Sequence, residues 1–262
     1  MTIRSLGFGT LLSLIALAVG CGGSEEASSS SSAGATGKVI IVGTNPDYPP
    51  MQFIDNESGE MVGFEVDLMR AIAEQAGFEM QWKNVDWKGI FGALSARDID
   101  VIMSSATITE ERKKTFAFSD PYYSISQRVV VRAEDLESIT AVAQLDGRRI
   151  GVHLNTTGAI LAEEKFPAWV RVTFDNPTLA FTDLLQGSVF GFIVDEPVAV
   201  AYTNANPDTR ERLAMLPFEL SREDYGMVLR KSDTELLEKI NLGLQKVKEQ
   251  GIDTQIAEKW FE

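Results

Sequence analysis

The chain has 262 residues, of which 44% are hydrophobic and 24% are charged, and its formal net charge is −14. This composition is typical of a globular protein that is long enough for one large domain or two lobes. A nucleic-acid-binding function is disfavoured, because contacts with phosphate groups need a basic face and the sequence shows none.

The first twenty residues have the pattern of a secretory signal peptide. Arg4 precedes a mostly apolar run over 6–19, which is too short and too interrupted for a membrane span. The run leads into "LAVGC", which resembles a bacterial lipobox and ends at Cys21, the chain's only cysteine. We therefore predict cleavage before Cys21 and its modification by lipid, including palmitate. The alternative is an ordinary signal peptide followed by an incidental cysteine, although an unpaired thiol in an exported protein calls for an explanation.

Residues 21–37 are predicted to form a lipidated cysteine followed by a Gly/Ser-rich tether. The stretch 22–37, "GGSEEASSSSSAGATG", has no residues that could build a core. A flexible chain of this length spans roughly 20 Å root-mean-square. The sequence thus predicts an exported protein, lipid-anchored at the cell membrane, whose folded body is tethered on the outer face or the periplasmic side.

From residue 38 onward, buried strands alternate with amphipathic helices. In the helix predicted over 63–77, Phe64, Leu68 and Ile72 recur at i, i+4 and i+8 and therefore share one face. The predicted strands are 38–43, 79–85, 98–103, 127–134, 148–154, 170–174, 189–194 and 225–230. The other predicted helices are 87–97, a short helix containing Arg112, 158–166, 178–187, 196–205, 234–250 and 254–261.

This alternation predicts an α/β fold with mostly parallel sheets. Two runs of alternation, separated by the strands near 127–132 and 225–230, predict two lobes joined by two crossing segments that form a hinge. We assign 38–128 plus 229–262 to lobe 1 and 129–228 to lobe 2.

The short helix near residue 110 contains an unexpected charge. Thr109 can cap its first turn, and Glu110 and Glu111 suit the positive end of the helix dipole. A capping box would place Glu or Gln three residues after the cap, but this chain has Arg112 there. Arg112 is either a solvated surface residue or a group that faces an anion in a cleft.

Four loops follow predicted strands at the edge where open α/β sheets bind ligands: "GTNPDY", "SSATITEER", "HLNTTG" and "VDEPV". Arg112 could pair with a carboxylate. Asp195 could accept from a cation or could cap the helix that follows it. Tyr48 and Trp87 could flank a ligand or lie in the core. Hydroxyl groups beside backbone N–H groups at predicted helix starts come from Ser104, Ser105, Thr107, Thr156 and Thr157. Together these groups suit a free α-amino acid.

The chain resembles family 3 of the bacterial extracellular solute-binding proteins, which deliver polar amino acids to ABC importers. The resemblance covers about 39–261, and its most specific parts are "VGTNPDYPP", "VGFEVDL", "ALSARDIDVIMSSATITEERKKTFAFSDPYY" and "VDEPVA". It implies a two-lobed periplasmic-binding-protein (Venus flytrap) fold of type II. It also implies a substrate-binding lipoprotein, monomeric and without cofactor or metal, whose partner is a membrane permease.

The resemblance assigns a role to each candidate residue. Arg112 matches the arginine that binds the ligand's α-carboxylate, and Asp195 matches the acid that binds the ammonium group. Ser105 and Thr107 match neighbours that share both groups, and Thr157 matches a residue that caps the carboxylate. Tyr48 and Trp87 match the walls of the side-chain pocket.

The resemblance also bears on which amino acid is bound. Members that take basic side chains often have acids where this chain has Asn45 and Gln52, so a polar uncharged or acidic amino acid is predicted. His153, the only histidine, either faces the ligand side chain or is satisfied by its strand neighbours. Asn155 stands where Gly is usual, and Asn tolerates a positive φ better than most residues.

Two other functions remain open from the sequence. The same fold includes dehydratases that act on cyclic amino-acid precursors, and Asp195, Glu196 and His153 could supply acid–base chemistry. Against an enzyme, the sequence has no metal-ligand cluster, nucleophile elbow or phosphate loop. A sensor role would require another protein, because no signalling domain is evident.

Overall fold

The computed structural model describes residues 38–204 and 207–261. The predicted signal peptide, Cys21 and the tether lie outside these residues. The strands are β1 (Ile40–Thr44), β2 (Asp47–Tyr48), β3 (Gln52–Ile54), β4 (Met61–Val62), β5 (Met80–Asn84), β6 (Val101–Ile102), β7 (Phe116–Phe118), β8 (Tyr123–Arg132), β9 (Arg149–His153), β10 (Val170–Phe174), β11 (Gly191–Asp195), β12 (Leu213–Met215), β13 (Ser221–Tyr225) and β14 (Val228–Arg230). The α-helices are α1 (Phe64–Ala76), α2 (Trp87–Ser95), α3 (Glu110–Thr115), α4 (Thr157–Lys165), α5 (Pro177–Leu185), α6 (Glu196–Asn204), α7 (Pro207–Arg212), α8 (Thr234–Glu249) and α9 (Ile252–Phe261).

Local sequence signals explain where several helices begin and end. The side chains of Thr109, Thr156 and Asn176 cap α3, α4 and α5 by accepting from backbone N–H groups in the first turn. Helix α1 ends at Gly77, which has φ 71° in the left-handed region that favours glycine. None of the helices in the described part of the chain is long and apolar enough to cross a membrane.

Two sheets form the frame of the molecule. Sheet 1 has the strand order β5-β1-β6-β14-β7, and sheet 2 has the order β10-β9-β11-β8-β12, with β13 also paired to β8. A small third sheet contains β2, β3 and β4. In sheets 1 and 2, three consecutive strands are parallel and the remaining pairings are antiparallel. The expectation of mostly parallel sheets is therefore correct only for these three-stranded parts, because the strands next to the crossings run back along their neighbours.

The chain crosses between sheets 1 and 2 twice, at 119–122 and at 226–227. The two crossings are hydrogen-bonded to each other: Ser119 N donates to Met227 O at 2.9 Å, and Tyr122 N donates to Tyr225 O at 3.0 Å. The whole of β8 pairs within sheet 2, so the lobe boundary predicted at 128/129 falls inside this strand. The assignment of residues to the two lobes, and the movement of the lobes about these crossings, remain predictions.

Candidate functional site

A cleft of about 390 Å³ lies at the carboxyl ends of β1, β6, β9 and β11. It contains every predicted ligand-binding residue, together with Asp47 and Gln52. The lining residues are Asn45, Asp47, Tyr48, Gln52, Trp87, Ser104, Ser105, Thr107, Arg112, His153, Thr156, Thr157 and Asp195. The structure thus brings the predicted residues together, while their role in binding stays a prediction.

Arg112 points into this cleft rather than into solvent. Its backbone N–H donates to the Thr109 side chain at 3.1 Å, which is the predicted cap. Its guanidinium donates to Thr107 O at 2.8 Å and to Asn155 O at 3.3 Å, and it lies over the rings of Trp87 and Phe91. Within the described ranges, no carboxylate forms an ion pair with it. Burial disfavours the charged guanidinium and so lowers the Arg112 pKa. A bound anion would stabilise the charged form.

Hydrogen bonds cross the cleft between loops of the two sheets. Trp87 Nε1 donates to Leu154 O at 3.1 Å, and Arg112 reaches Asn155 O. The hydroxyl groups of Thr107 and Thr157 lie 3.3 Å apart. Asn155 has φ 60°, in the left-handed region that Asn tolerates better than most residues. These contacts hold the two sides of the cleft close together.

Glu223 is a residue of this region that the sequence did not reveal. It lies on β13, a polar strand that periodicity did not predict. Its Oε2 atom accepts from the hydroxyl groups of Thr107 at 3.0 Å and Thr157 at 2.6 Å. Its charge also opposes the lowering of the Arg112 pKa. Both predicted carboxylate-binding threonines are therefore oriented by one acid.

Asp195 is buried at the end of β11. Its carboxylate accepts from Gln127 Nε2 and from the Tyr225 hydroxyl, and neither partner belongs to α6. The cap that the sequence left open as an alternative is thus not the arrangement seen. Burial raises the pKa of Asp195 to about 6, and the hydrogen bonds partly offset this effect. A cation in the cleft would stabilise the charged form.

Glu65 is a second acid that sequence reasoning missed. It is fully buried on α1 and accepts from Ser105 N at 2.9 Å, from Ser105 Oγ at 2.9 Å and from the Tyr122 hydroxyl at 2.6 Å. Ser105 is held at φ 50°. Burial raises the pKa of Glu65 to about 7. An available signal was its spacing from Met69 and Ile72, which places an acid on the apolar face of α1.

The remaining predicted residues differ in whether their polar groups are already hydrogen-bonded within the protein. The Thr156 hydroxyl lines the cleft, but it caps α4 and donates to His153 O at 2.8 Å. His153 lines the cleft and also pairs with its neighbourhood, since its Nε2 lies 3.0 Å from Asp175 O. His153 is thus partnered at one ring nitrogen, and its role toward a ligand stays a prediction. Tyr48 and Trp87 line the cleft, and Trp87 also packs in a buried core cluster, so both interpretations of this tryptophan remain open.

Comparisons with known proteins give consistent results. The profile described as "Bacterial extracellular solute-binding proteins, family 3" matches residues 40–262. An Escherichia coli K12 protein named putative ABC transporter arginine-binding protein 2 is 31% identical over 230 residues, covering 86% of this chain and 91% of that protein. The structure of an ancestral arginine-binding protein bound to arginine matches with a TM-score of 0.80 and 39% identity, covering 86% of this chain and 98% of that one.

A third match bears on the enzyme alternative. The structure of the ancestral amino acid-binding protein AncCDT-1, a precursor of cyclohexadienyl dehydratase, matches with a TM-score of 0.79 and 33% identity. It covers 86% of this chain and 96% of that one.

The two-lobed α/β fold implied by the resemblance is confirmed. This chain belongs to family 3 of the bacterial extracellular solute-binding proteins.

Proposed function

We propose that this protein is the substrate-binding component of an ABC importer. It captures a free amino acid in the cleft by hinge closure and delivers it to a membrane permease. The observation that carries this proposal is the pairing, in one cleft, of an arginine without an ion-pair partner among the described residues and a buried aspartate. The names of the relatives, which refer to amino acids and to ABC transporters, support the same ligand class.

Each end of the amino acid backbone has a matching group. The α-carboxylate would pair with Arg112 and accept from the backbone N–H of Thr157 at the start of α4, where the helix dipole favours an anion. The α-ammonium would donate to Asp195. It would also donate to Ser105 Oγ, whose own proton is directed to Glu65. The rings of Tyr48 and Trp87 would flank the side chain.

Closure would follow from contacts made to both sides of the cleft. Ser105 and Arg112 lie between strands β6 and β7 of sheet 1, with Arg112 on α3. Thr157 begins α4, which follows β9 of sheet 2, and Asp195 ends β11 of the same sheet. A ligand that touches both favours the closed form by its differential affinity for that form. A micromolar dissociation constant corresponds to about −8 kcal/mol, which allows both capture and release.

The enzyme alternative is weakened by Glu196, one of its three acid–base candidates. The Glu196 carboxylate binds Ser126 and Arg128, at 2.9 Å from Arg128 Nη2, and is not among the residues that line the cleft. Dehydration of a prephenate-like or arogenate-like substrate by the purified protein would reverse this preference.

We also propose that the protein is exported and held at the membrane by lipid on Cys21, and that it acts as a monomer. The lipobox-like "LAVGC" and the Gly/Ser-rich stretch 22–37 support export and lipid attachment. The monomeric state rests on the family resemblance. The preference for a polar uncharged or acidic ligand, which rested on Asn45 and Gln52, was a prediction. The hydrogen bonds at that end of the cleft favour a different class of ligand side chain.

The proposal is tested by a thermal-shift panel of the twenty L-amino acids. The protein would lack residues 1–20, carry Cys21→Ser to prevent lipidation, and be unfolded and refolded to remove bound ligand. A ligand at ~100 times its dissociation constant stabilises the native state by about 2.7 kcal/mol. A shift with one or a few amino acids is expected. A folded protein that responds to none of them would refute amino-acid binding.

A further inference from the structure

The residues Asn45, Asp47, Tyr48, Gln52, Trp87 and His153 form what we call the side-chain end of the cleft. Most hydrogen-bond donors at this end are already used within the protein. Trp87 Nε1 donates to Leu154 O at 3.1 Å. Gln52 Nε2 donates to Asn45 O and to Ser104 Oγ, both at 3.4 Å. An acidic or amide side chain of a ligand would therefore find few groups to donate to it.

His153 adds an acceptor rather than a donor. Its Nε2 lies 3.0 Å from the carbonyl oxygen of Asp175, and only a protonated ring nitrogen can pair with a carbonyl. Burial lowers the His153 pKa, so the ring is neutral near pH 7. In a neutral imidazole with the proton on Nε2, Nδ1 can only accept.

Asp47 adds a negative charge without a counter-ion. It is half-buried, lines the cleft, and forms no ion pair within 38–204 or 207–261. Burial raises the pKa of Asp47 to about 6, and the nearby charge of Asp86 adds to this effect. A carboxylate in such a place is unfavourable unless a cation joins it.

The charges of the cleft then define the ligand. An amino acid backbone would match Arg112 with its carboxylate and Asp195 with its ammonium group, which leaves Asp47 unmatched. We infer that Asp47 selects an amino acid with a cationic side chain, which it pairs with at the side-chain end of the cleft. This inference rests on the proposed function and deepens it. The aromatic face of Tyr48 suits a guanidinium or ammonium group as well, whereas the ring of Trp87 already packs against Arg112.

The matched ligands for the test are arginine and citrulline, since citrulline replaces the guanidinium by an uncharged group of similar shape. Calorimetric titrations would use the ligand-stripped protein lacking residues 1–20 with Cys21→Ser, alone and with Asp47→Asn. Arginine is expected to bind at least about tenfold more tightly than citrulline, as for a hydrogen bond to a charged group. Asp47→Asn is expected to remove most of this difference and to leave citrulline affinity within about threefold.

Two control variants distinguish the effect of a negative charge at position 47 from the effect of removing a negative charge elsewhere on the protein. Asp98→Asn removes the same charge from an exposed residue outside the cleft and is expected to preserve the preference for arginine. Asp47→Glu is expected to restore part of it. In the unsubstituted protein, the ratio of arginine to citrulline affinity is expected to fall as pH falls through about 6, where Asp47 gains a proton.

The outcomes distinguish this inference from the proposed function. Tighter binding of citrulline, glutamine or glutamate than of arginine would overturn the inference and leave amino-acid capture standing. An arginine preference that persists in folded Asp47→Asn protein would also overturn it. Failure of every amino acid to bind would overturn both.

Discussion

The two ends of the cleft are built differently. At the end that faces the amino acid backbone, Arg112 and Asp195 carry opposite charges and are held by carbonyl, amide and hydroxyl groups. At the side-chain end, most donors are already bonded within the protein, and Asp47 has no cation as an ion-pair partner among the described residues. Under the proposed function, the first end would recognise any α-amino acid and the second would restrict which one, so that separate residues would determine ligand class and specificity.

The largest expected effect comes from removing the charge that defines the first end. Arg112→Ala should abolish detectable binding of every amino acid, because removing one partner of a buried ion pair costs about 3–5 kcal/mol. The fold should survive, since the guanidinium's hydrogen bonds go to loop carbonyls. Calorimetry with circular dichroism as the folding control measures both. Retained affinity in a folded variant would contradict the division between the two ends.

Asp195→Asn should have a smaller effect, about 1.5–3 kcal/mol, because a hydrogen bond to a charged group is replaced by a neutral one. Burial raises the Asp195 pKa to about 6, so the charged form predominates above that pH. Ligand affinity should therefore be full above about pH 6 and decrease as pH falls through it. Titrations between pH 5 and 8 test this, and a pH profile identical in the variant would exclude Asp195 as the group responsible.

Glu65→Gln should have the smallest effect on affinity, about 1 kcal/mol, because Glu65 acts on the ligand only through Ser105. Its clearer signature is in stability. Its pKa rises from 4.5 to about 7 on folding, so its contribution is fully present below 4.5 and is lost as pH rises through 7. Urea unfolding from pH 4.5 to 7.5 should show a shallower decline in Glu65→Gln. An unchanged slope would mean that Glu65 does not titrate in this window.

The sequence was informative where a pattern is local. Periodicity located α1 and the helices α2, α4 and α8 within a few residues, and Thr109 and Thr156 act as caps. The order of strands and helices was therefore largely predictable. The antiparallel strands β2, β3, β4, β7, β12 and β13 were not. The first five have only two or three residues each, and β13 is polar, so none of them shows enough apolar periodicity to be distinguished from a loop.

By itself, the sequence determined the α/β class, the family and the set of loops that meet in the cleft, because these depend on local patterns and on motifs such as "VDEPVA". The tertiary structure alone decided which polar groups remain available in that cleft. The sequence marked Gln52 as a specificity residue, yet its amide is engaged with Asn45 and Ser104. The sequence did not single out Asp47, yet it is an acid in the cleft. Hydrogen-bond partners distant in sequence set both outcomes, and no local pattern contains them.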